Sequence, residues 1–545
     1  MKRVLAMALA GALALSMLTA CGGGNGDGSS TGAGSFPGTP DEDCITLNLG
    51  GEPAQLFSTL NTESVSGYIL GHTMEGLMGR DQNGDLSCTG AESYTYDEET
   101  MTYTFKLREN AVWSNGEPVT AHDYVFAYRA LVDPAFAADY AYFGYVFKNG
   151  QAVNEGKVAP EELGVKAVDD YTFEVTMETP CPYVENVFAM FTLYPVNEKA
   201  YNEYGDLYGT DADKILTNGP YDLKEWSHEN QIVLEKSETY WNKDTITLPK
   251  MVWKMMSDKN TAMNEFQAGN LDYMTDLTGD QVVALKEAGA NVGTYNSNGI
   301  KYVQYNVTKP GLNNAKIRKA FMMSIDNQSL CDNVLKDSSQ PLYAMVPDTI
   351  DNGRFAEVAG APLFAYDPEE AKKLLEEGLA EENMTVADLN KYTIICDDDD
   401  VSQKLVAFVL EQWKTNLGVE VQPQVVPRKS RVVALSTHEF DLIISGWYPD
   451  YDDPNTFLDM FITGGGNNSG EWSNAEYDAL IAKAAAEMDH DTRAQYFADA
   501  QKILIDEAAI APMYGMYRNY VTSDKMTGEI VNANQTTFRW VQIQK

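Results

Sequence analysis

The residue types that most often do chemistry are thinly and irregularly placed in this chain. The five histidines, His72, His122, His228, His438 and His490, stand alone, and no H-E-x-x-H or His/Cys ligand spacing occurs. The six cysteines include no C-x-x-C pair, which argues against a zinc or thioredoxin-type site. Gly28-Ser29-Ser30-Thr31-Gly32 fits the letters of a G-x-S-x-G nucleophile elbow but lacks the strand and helix that must flank one. Asp81-Gln82-Asn83-Gly84-Asp85 has the oxygen donors of a calcium loop, yet Leu86 stands where glycine is required. A hairpin turn with Asn83-Gly84 at its tip is expected there instead. Neither catalysis, a metal nor a cofactor is expected. What remains is an acidic, aromatic turn, Gly446-Trp447-Tyr448-Pro449-Asp450-Tyr451-Asp452-Asp453-Pro454. On residue type alone it is a solvated loop; its interest comes from the elements around it.

Those elements alternate between strand and helix along the chain. Tyr103, Phe105 and Leu107 alternate with polar neighbours, as a half-buried strand requires. Thr120 is placed to cap a helix carrying Tyr124, Phe126 and Tyr128 that ends before Pro134, and Thr278 to cap a second one closed by Gly289. Asp367-Pro368-Glu369-Glu370 combines an N-cap, a proline at the first helical position and a glutamate at the third. Residues 391–448 are the most informative: strand 392–396, helix 402–417 stopped by Gly418, strand 419–426, helix 428–436 and a buried strand 440–445. This βαβαβ order implies parallel strands with crossover helices, and ligands of such sheets bind beyond the carboxyl ends of the strands. The Gly446–Asp450 segment lies at that end. No internal repeat is present.

The N-terminus carries a different signal. Lys2 and Arg3 precede an apolar run from Val4 to Met17, then Leu18-Thr19-Ala20-Cys21. A basic start, an apolar stretch too short for a typical membrane span and small residues before a cut site read as an export signal. The cut before a cysteine resembles the lipobox of bacterial lipoproteins, which implies acylation of Cys21 and anchoring to the outer face of the cytoplasmic membrane. Residues 22–43 are rich in Gly, Ser, Thr, Pro and acids, with Phe36 as their one large apolar residue, and are expected to form a flexible tether. The whole chain has 40 Lys+Arg against 80 Asp+Glu; without Lys2 and Arg3 the balance is 38 against 80, a formal charge of −42. Nucleic acid and anionic headgroups are unsuitable partners at that charge. Beyond Cys21, Cys44, Cys88, Cys181, Cys331 and Cys396 are odd in number, so at least one is free unless paired with another chain.

Six segments, taken together, resemble the oligopeptide- and dipeptide-binding proteins of ABC importers. They are Glu75-Gly76-Leu77; Lys106 to Asp123, with Trp113-Ser114-Asn115-Gly116 at its centre; Thr217-Asn218-Gly219-Pro220-Tyr221; and Glu238-Thr239-Tyr240-Trp241. Lys316-Ile317-Arg318-Lys319-Ala320-Phe321 before Ser324-Ile325-Asp326, and Trp447 to Pro454, complete the set. The match runs in order from about residue 44 to 545. The resemblance implies an α/β, type II periplasmic-binding-protein fold: two hinge-linked lobes plus an additional α/β domain, three domains in all. It places a signal peptide at 1–20, a lipid-anchored linker at 21–43, domain I at 44–65, 193–298 and 518–545, domain II at 66–192 and domain III at 299–517.

The implied ligand is a short peptide, buried as an extended strand between domains I and III and passed on to ABC permease subunits by a monomer. Backbone pairing ignores side chains, so affinity stays uniform while roomy hydrated pockets accept varied residues. Register must then be fixed by the peptide's constant leading charge, the α-ammonium, which needs a carboxylate on burial. Asp450 holds the family position for it. Trp447 is expected to wall the cleft after a kink at Gly446, which would let a ligand backbone approach closely. Tyr448, Tyr140, Tyr142 and the hinge-side Glu52 are further candidates. His122 falls in the family's turn motif and is expected to have core or capping duty. Where one well-understood family member carries a basic residue, this chain has Ile444, so the partner of a peptide carboxylate is left open. The same fold could instead hold an oligosaccharide, a nickel chelate or haem, or serve a peptide-sensing receptor; a sugar would leave Asp450 without a cation to neutralise.

Overall fold

The computed structural model describes residues 35–544; the export segment, Cys21 and the tether up to residue 34 lie outside the described residues. The alternating strand forms as Thr102–Leu107 with Tyr103, Phe105 and Leu107 buried, in a four-stranded antiparallel sheet with Ala91–Asp97, Thr172–Thr176 and Val165–Asp169. The helix Ala121–Val132 packs on this sheet, and Thr120 and Asp123 form its capping box. His122 has neither a core nor a capping role: it is exposed in the first turn, its Nε2 3.5 Å from Asp170. Capping is done by its neighbours, and the imidazole, one residue along, is turned to solvent. The hairpin expected at Asn83-Gly84 is present between Met78–Arg80 and Leu86–Cys88.

A second, eleven-stranded sheet runs through the rest of the molecule. At one end Tyr221–Ser227, Gln231–Lys236, Lys250–Lys254 and Cys44–Asn48 lie side by side; at the other, Gln422–Val426, Thr393–Asp397 and Leu442–Trp447 do. Thr393–Asp397 pairs parallel with both of its neighbours, as the βαβαβ pattern requires. The helix between them, Asp400–Leu417, starts at the Asp399 cap and stops at Gly418 in the left-handed region (φ 70°).

Two long antiparallel strands, Asn291–Tyr305 and Ile510–Thr522, join the two ends and are the hinge. Their register shifts between Asn296 and Gly299, where Asn298 has φ +58°. Beyond this bulge the first hinge strand faces two cores. Ile300 and Tyr302 pack with Phe457, Phe461 and Tyr477, whereas Val303 and Tyr305 pack with Ile394, Leu405, Leu442 and Ile444.

The tether ends earlier than its composition implies. Phe36 stacks on Phe266 with ring centroids 5.5 Å apart, and Thr39 donates through N and Oγ1 to the Asp272 carboxylate at 2.9 and 2.6 Å. Residues 35–43 thus belong to the folded body. Cys44, Cys88, Cys181, Cys331 and Cys396 are all free thiols, four of them buried. Among the described residues no helix is long and apolar enough to cross a membrane.

Candidate ligand-binding site

Thr393–Asp397 and Leu442–Trp447 are parallel neighbours in the long sheet, so their carboxyl ends lie on the same side of it. The chain leaves Leu442–Trp447 into the acidic turn, and four carboxylates follow within ten residues. Two are neutralised. Asp453 takes a bidentate pair from Arg493 at 2.6 and 2.8 Å. Asp452 accepts from Asp351 N at 2.9 Å and from Asn534 Nδ2 at 3.3 Å, with Arg80 at 3.9 Å. The other two are not. Asp459 receives only Asn455 Nδ2 at 3.0 Å, and burial, with Asp450 and Asp453 adding repulsion, pushes its pKa up to about 7.

Asp450 is the least satisfied of the four. Its backbone N–H donates to Thr456 Oγ1 at 3.1 Å, which fixes the turn, but its carboxylate has no hydrogen-bond donor or cation among the described residues. Burial alone raises its pKa from 3.8 to about 6. An ionisable group held half in water and half in protein with nothing to balance it is a poor structural device and a good receptor for a cation. Burial raises the pKa of both Tyr140 and Tyr142, and the nearby Asp450 charge adds to it. They lie on a short helical turn, Ala141–Val146 and its N-cap, with Tyr142 43% exposed and its ring centroid 4.4 Å from that of Phe143, the planes tilted by 34°.

The structure brings some of the expected residues to this place and not others. Trp447 is half-buried: its ring packs on the core behind the turn, and its Nε1 reaches Thr456 Oγ1 at 3.4 Å. Tyr448 is 46% exposed and lies over the hinge, its hydroxyl 3.5 Å from Met516 Sδ and its ring 5.4 Å from the Arg518 guanidinium. A Cβ at Gly299 would come within 2.5 Å of that ring, so the glycine at the bulge makes room for Tyr448.

Gly446 has a different reason from the one expected. It sits in regular pairing opposite Lys301 and does not kink the strand. A Cβ there would meet Ile300 O at 2.7 Å and Lys301 Cδ at 3.0 Å, so the neighbouring strand already requires the small residue. Glu52 is engaged elsewhere. Its carboxylate accepts from Trp226 Nε1 at 2.7 Å and from Glu229 N at 2.5 Å, and it pairs with His228 Nδ1 at 2.8 Å. It braces the turn between Tyr221–Ser227 and Gln231–Lys236.

The acidic turn also has a partner absent from the sequence reading, Tyr183. Tyr183 stacks on Tyr451 with centroids 4.3 Å apart and planes 6° from parallel, which ties the four-stranded-sheet domain to the acidic turn. The Asp-Tyr-Asp-Asp spacing gives no hint of this partner 268 residues upstream.

Several of the segments that carry the resemblance prove to be scaffold. Glu75 accepts from Tyr240 Oη at 2.7 Å and Trp241 Nε1 at 2.6 Å, while Asn218 bonds the Glu75 backbone in both directions. Arg318 donates to the carbonyls of Leu312, Asn313, Glu507 and Ala508. Three of the six segments thus form one buried knot, and a fourth ties the second core to the end of its last helix.

Comparison with known proteins agrees with this architecture. Residues 90–469 match the family described as bacterial extracellular solute-binding proteins, family 5, middle region. The dipeptide-binding protein DppE of Bacillus subtilis is 34% identical over 496 residues, covering 90% of each chain. The oligopeptide-binding protein OppA of the same organism is 33% identical over 94% of each. The structure of Listeria monocytogenes OppA bound to peptide superposes with a TM-score of 0.73 at 33% identity, covering 92% of this chain and 99% of that one. With its two hinge-linked lobes, additional domain and interlobe acidic turn, the chain belongs to the bacterial extracellular solute-binding proteins of family 5.

Proposed function

We propose that this protein captures short peptides outside the cytoplasmic membrane and delivers them to an ABC importer, with Asp450 receiving the peptide's α-ammonium. The observation that carries the reading is the Asp450 carboxylate: part-buried, raised in pKa by that burial, without a partner among the described residues, and near enough to Tyr140 and Tyr142 for its charge to act on both. A peptide supplies one constant cation at its leading end, and pairing it with Asp450 satisfies both groups at once. The hinge strands and the Tyr183–Tyr451 stack suit a cleft that closes over its ligand, since contacts from both sides exist together only in the closed form.

The domain limits given above, with the folded body beginning near residue 35, describe the parts that move. Cys21 is the attachment point of a lipid anchor, and the partners are permease subunits, met by a monomer. The test is mass spectrometry of the ligand released from the purified protein by mild denaturation. Short peptides are expected. An oligosaccharide, with no peptide retained from a mixed panel, contradicts the reading.

A further inference from the structure

One part-buried charge is left unused by the reading above. Lys301 lies on the first hinge strand, opposite Gly446 on one side and Tyr514 on the other. Residues directly opposite in a sheet share a face, so Lys301 continues the row of Tyr305 and Val303 just where that row leaves the second core. Its stem lies across Gly446, with Cδ 3.0 Å from where a Cβ there would stand, next to the closer obstacle, Ile300 O at 2.7 Å. Its ammonium is near enough to interact with Asp397 and Asp399, at and just beyond the carboxyl end of Thr393–Asp397.

No acceptor or carboxylate lies within bonding distance of it among the described residues. Four charged groups surround it, Asp397, Asp399, Arg428 and Arg431. Both acids are already engaged. Asp397 accepts from Arg431 Nε at 2.7 Å, and Asp399 caps the Asp400–Leu417 helix through Val401 N and Ser402 N at 3.0 Å each. The two arginines add repulsion, and burial pulls the lysine below its usual pKa. Lys301 nevertheless stays part-exposed, so a ligand in the cleft can reach it. Ile444 lies two residues back on the strand opposite, 2% exposed in the second core, and offers no charge.

We propose that Lys301 receives a carboxylate of the bound peptide, so that the ligand is held by charge at two places, Asp450 and Lys301. An unpaired ammonium between two arginines and two occupied acids is complete only when an anion arrives, and the cleft is the direction left open. The carboxylate has two possible sources, the peptide's C-terminus and an acidic side chain, with the same chemistry. This proposal rests on the peptide reading, and the experiment separates the two.

The full chain is offered equimolar tri- to pentapeptide mixtures, and the retained species are identified by mass spectrometry. One arm compares free-acid with C-terminally amidated mixtures; the other compares Asp/Glu-containing with Asn/Gln-containing peptides, all amidated. Wild type should prefer the anionic form in at least one arm by about ten- to a hundredfold, the usual worth of a hydrogen bond to a charged group. Lys301→Met, which keeps the stem over Gly446, should lose that preference yet still retain peptides. Lys301→Arg should keep it. Retained peptides with no preference in either arm of wild type, or a preference that survives in Lys301→Met or disappears in Lys301→Arg, overturns the Lys301 assignment and leaves the peptide reading standing. Failure of wild type to retain any peptide overturns both.

Discussion

Asp450→Asn should move ligand affinity and protein stability in opposite directions. Burial raises the carboxylate's pKa to about 6 against an ordinary 3.8. That difference corresponds to about 3 kcal/mol against the charged form, less what cleft water screens. A group whose folded pKa is raised favours the native state below its unfolded pKa, and this contribution is lost as pH rises through the folded pKa. The amide cannot ionise, so the variant should gain stability over wild type as pH climbs from about 4 through 6, up to about 3 kcal/mol at pH 8, and gain nothing at pH 3. Peptide binding should respond the other way. Removing one side of a buried charge pair costs about 2–5 kcal/mol, roughly 30- to several-thousand-fold in affinity.

Denaturant titrations at pH 3 and pH 8 read the first effect, and calorimetry with a free and an N-acetylated peptide reads the second. The four combinations of protein and peptide form a double-mutant cycle that isolates the pair. A variant less stable than wild type at pH 8, or one that still discriminates against acetylated peptide, refutes the reasoning.

Wild-type affinity should fall about tenfold per pH unit below about 6, as Asp450 protonates, and again above about 8, as the peptide amine loses its proton; titration calorimetry from pH 4.5 to 9 checks both limbs. Tyr183→Ala removes the stack on Tyr451, worth about 0.5–1.5 kcal/mol, and should reduce the compaction that solution scattering detects on adding peptide. Gly446→Ala must displace Ile300 O or Lys301 and should cost about 1–3 kcal/mol in denaturant unfolding, with a normal midpoint contradicting the packing seen here. Cys21→Ala should abolish lipid labelling of the expressed protein and release it from the membrane fraction.

Local patterns made much of the scaffold legible from sequence. Thr120, Thr278 and Asp367 cap the expected helices because capping depends on a hydroxyl or carboxylate three residues from an amide, a relation the sequence displays directly. Gly418 stops its helix for an equally local reason, a left-handed residue that glycine adopts without strain.

Apart from His122, where the difference is local, the departures from the sequence reading involve partners far along the chain. Phe36 looked like a stray ring in a tether because its partner, Phe266, is 230 residues away. The partners of Glu52, Trp226 and His228, are remote in sequence, and the pairing of Gly446 with Lys301, which gives the glycine its packing reason, involves another strand. Asp450 could be singled out only through the family pattern. Within its own turn it is one aspartate among several, and what distinguishes it is the partners that Asp452 and Asp453 have and it lacks.

The pairing of a peptide ammonium with Asp450 is tested most directly by proton release on binding. At pH 5.5 a carboxyl with a pKa of about 6 is roughly three-quarters protonated, and a cation beside it forces that proton off. Calorimetry at pH 5.5 in two buffers of different ionisation enthalpy should therefore show about 0.7 proton released per peptide bound by wild type and close to none by Asp450→Asn. Equal release from both proteins, or none from wild type, would contradict the assignment of Asp450 as the amine anchor.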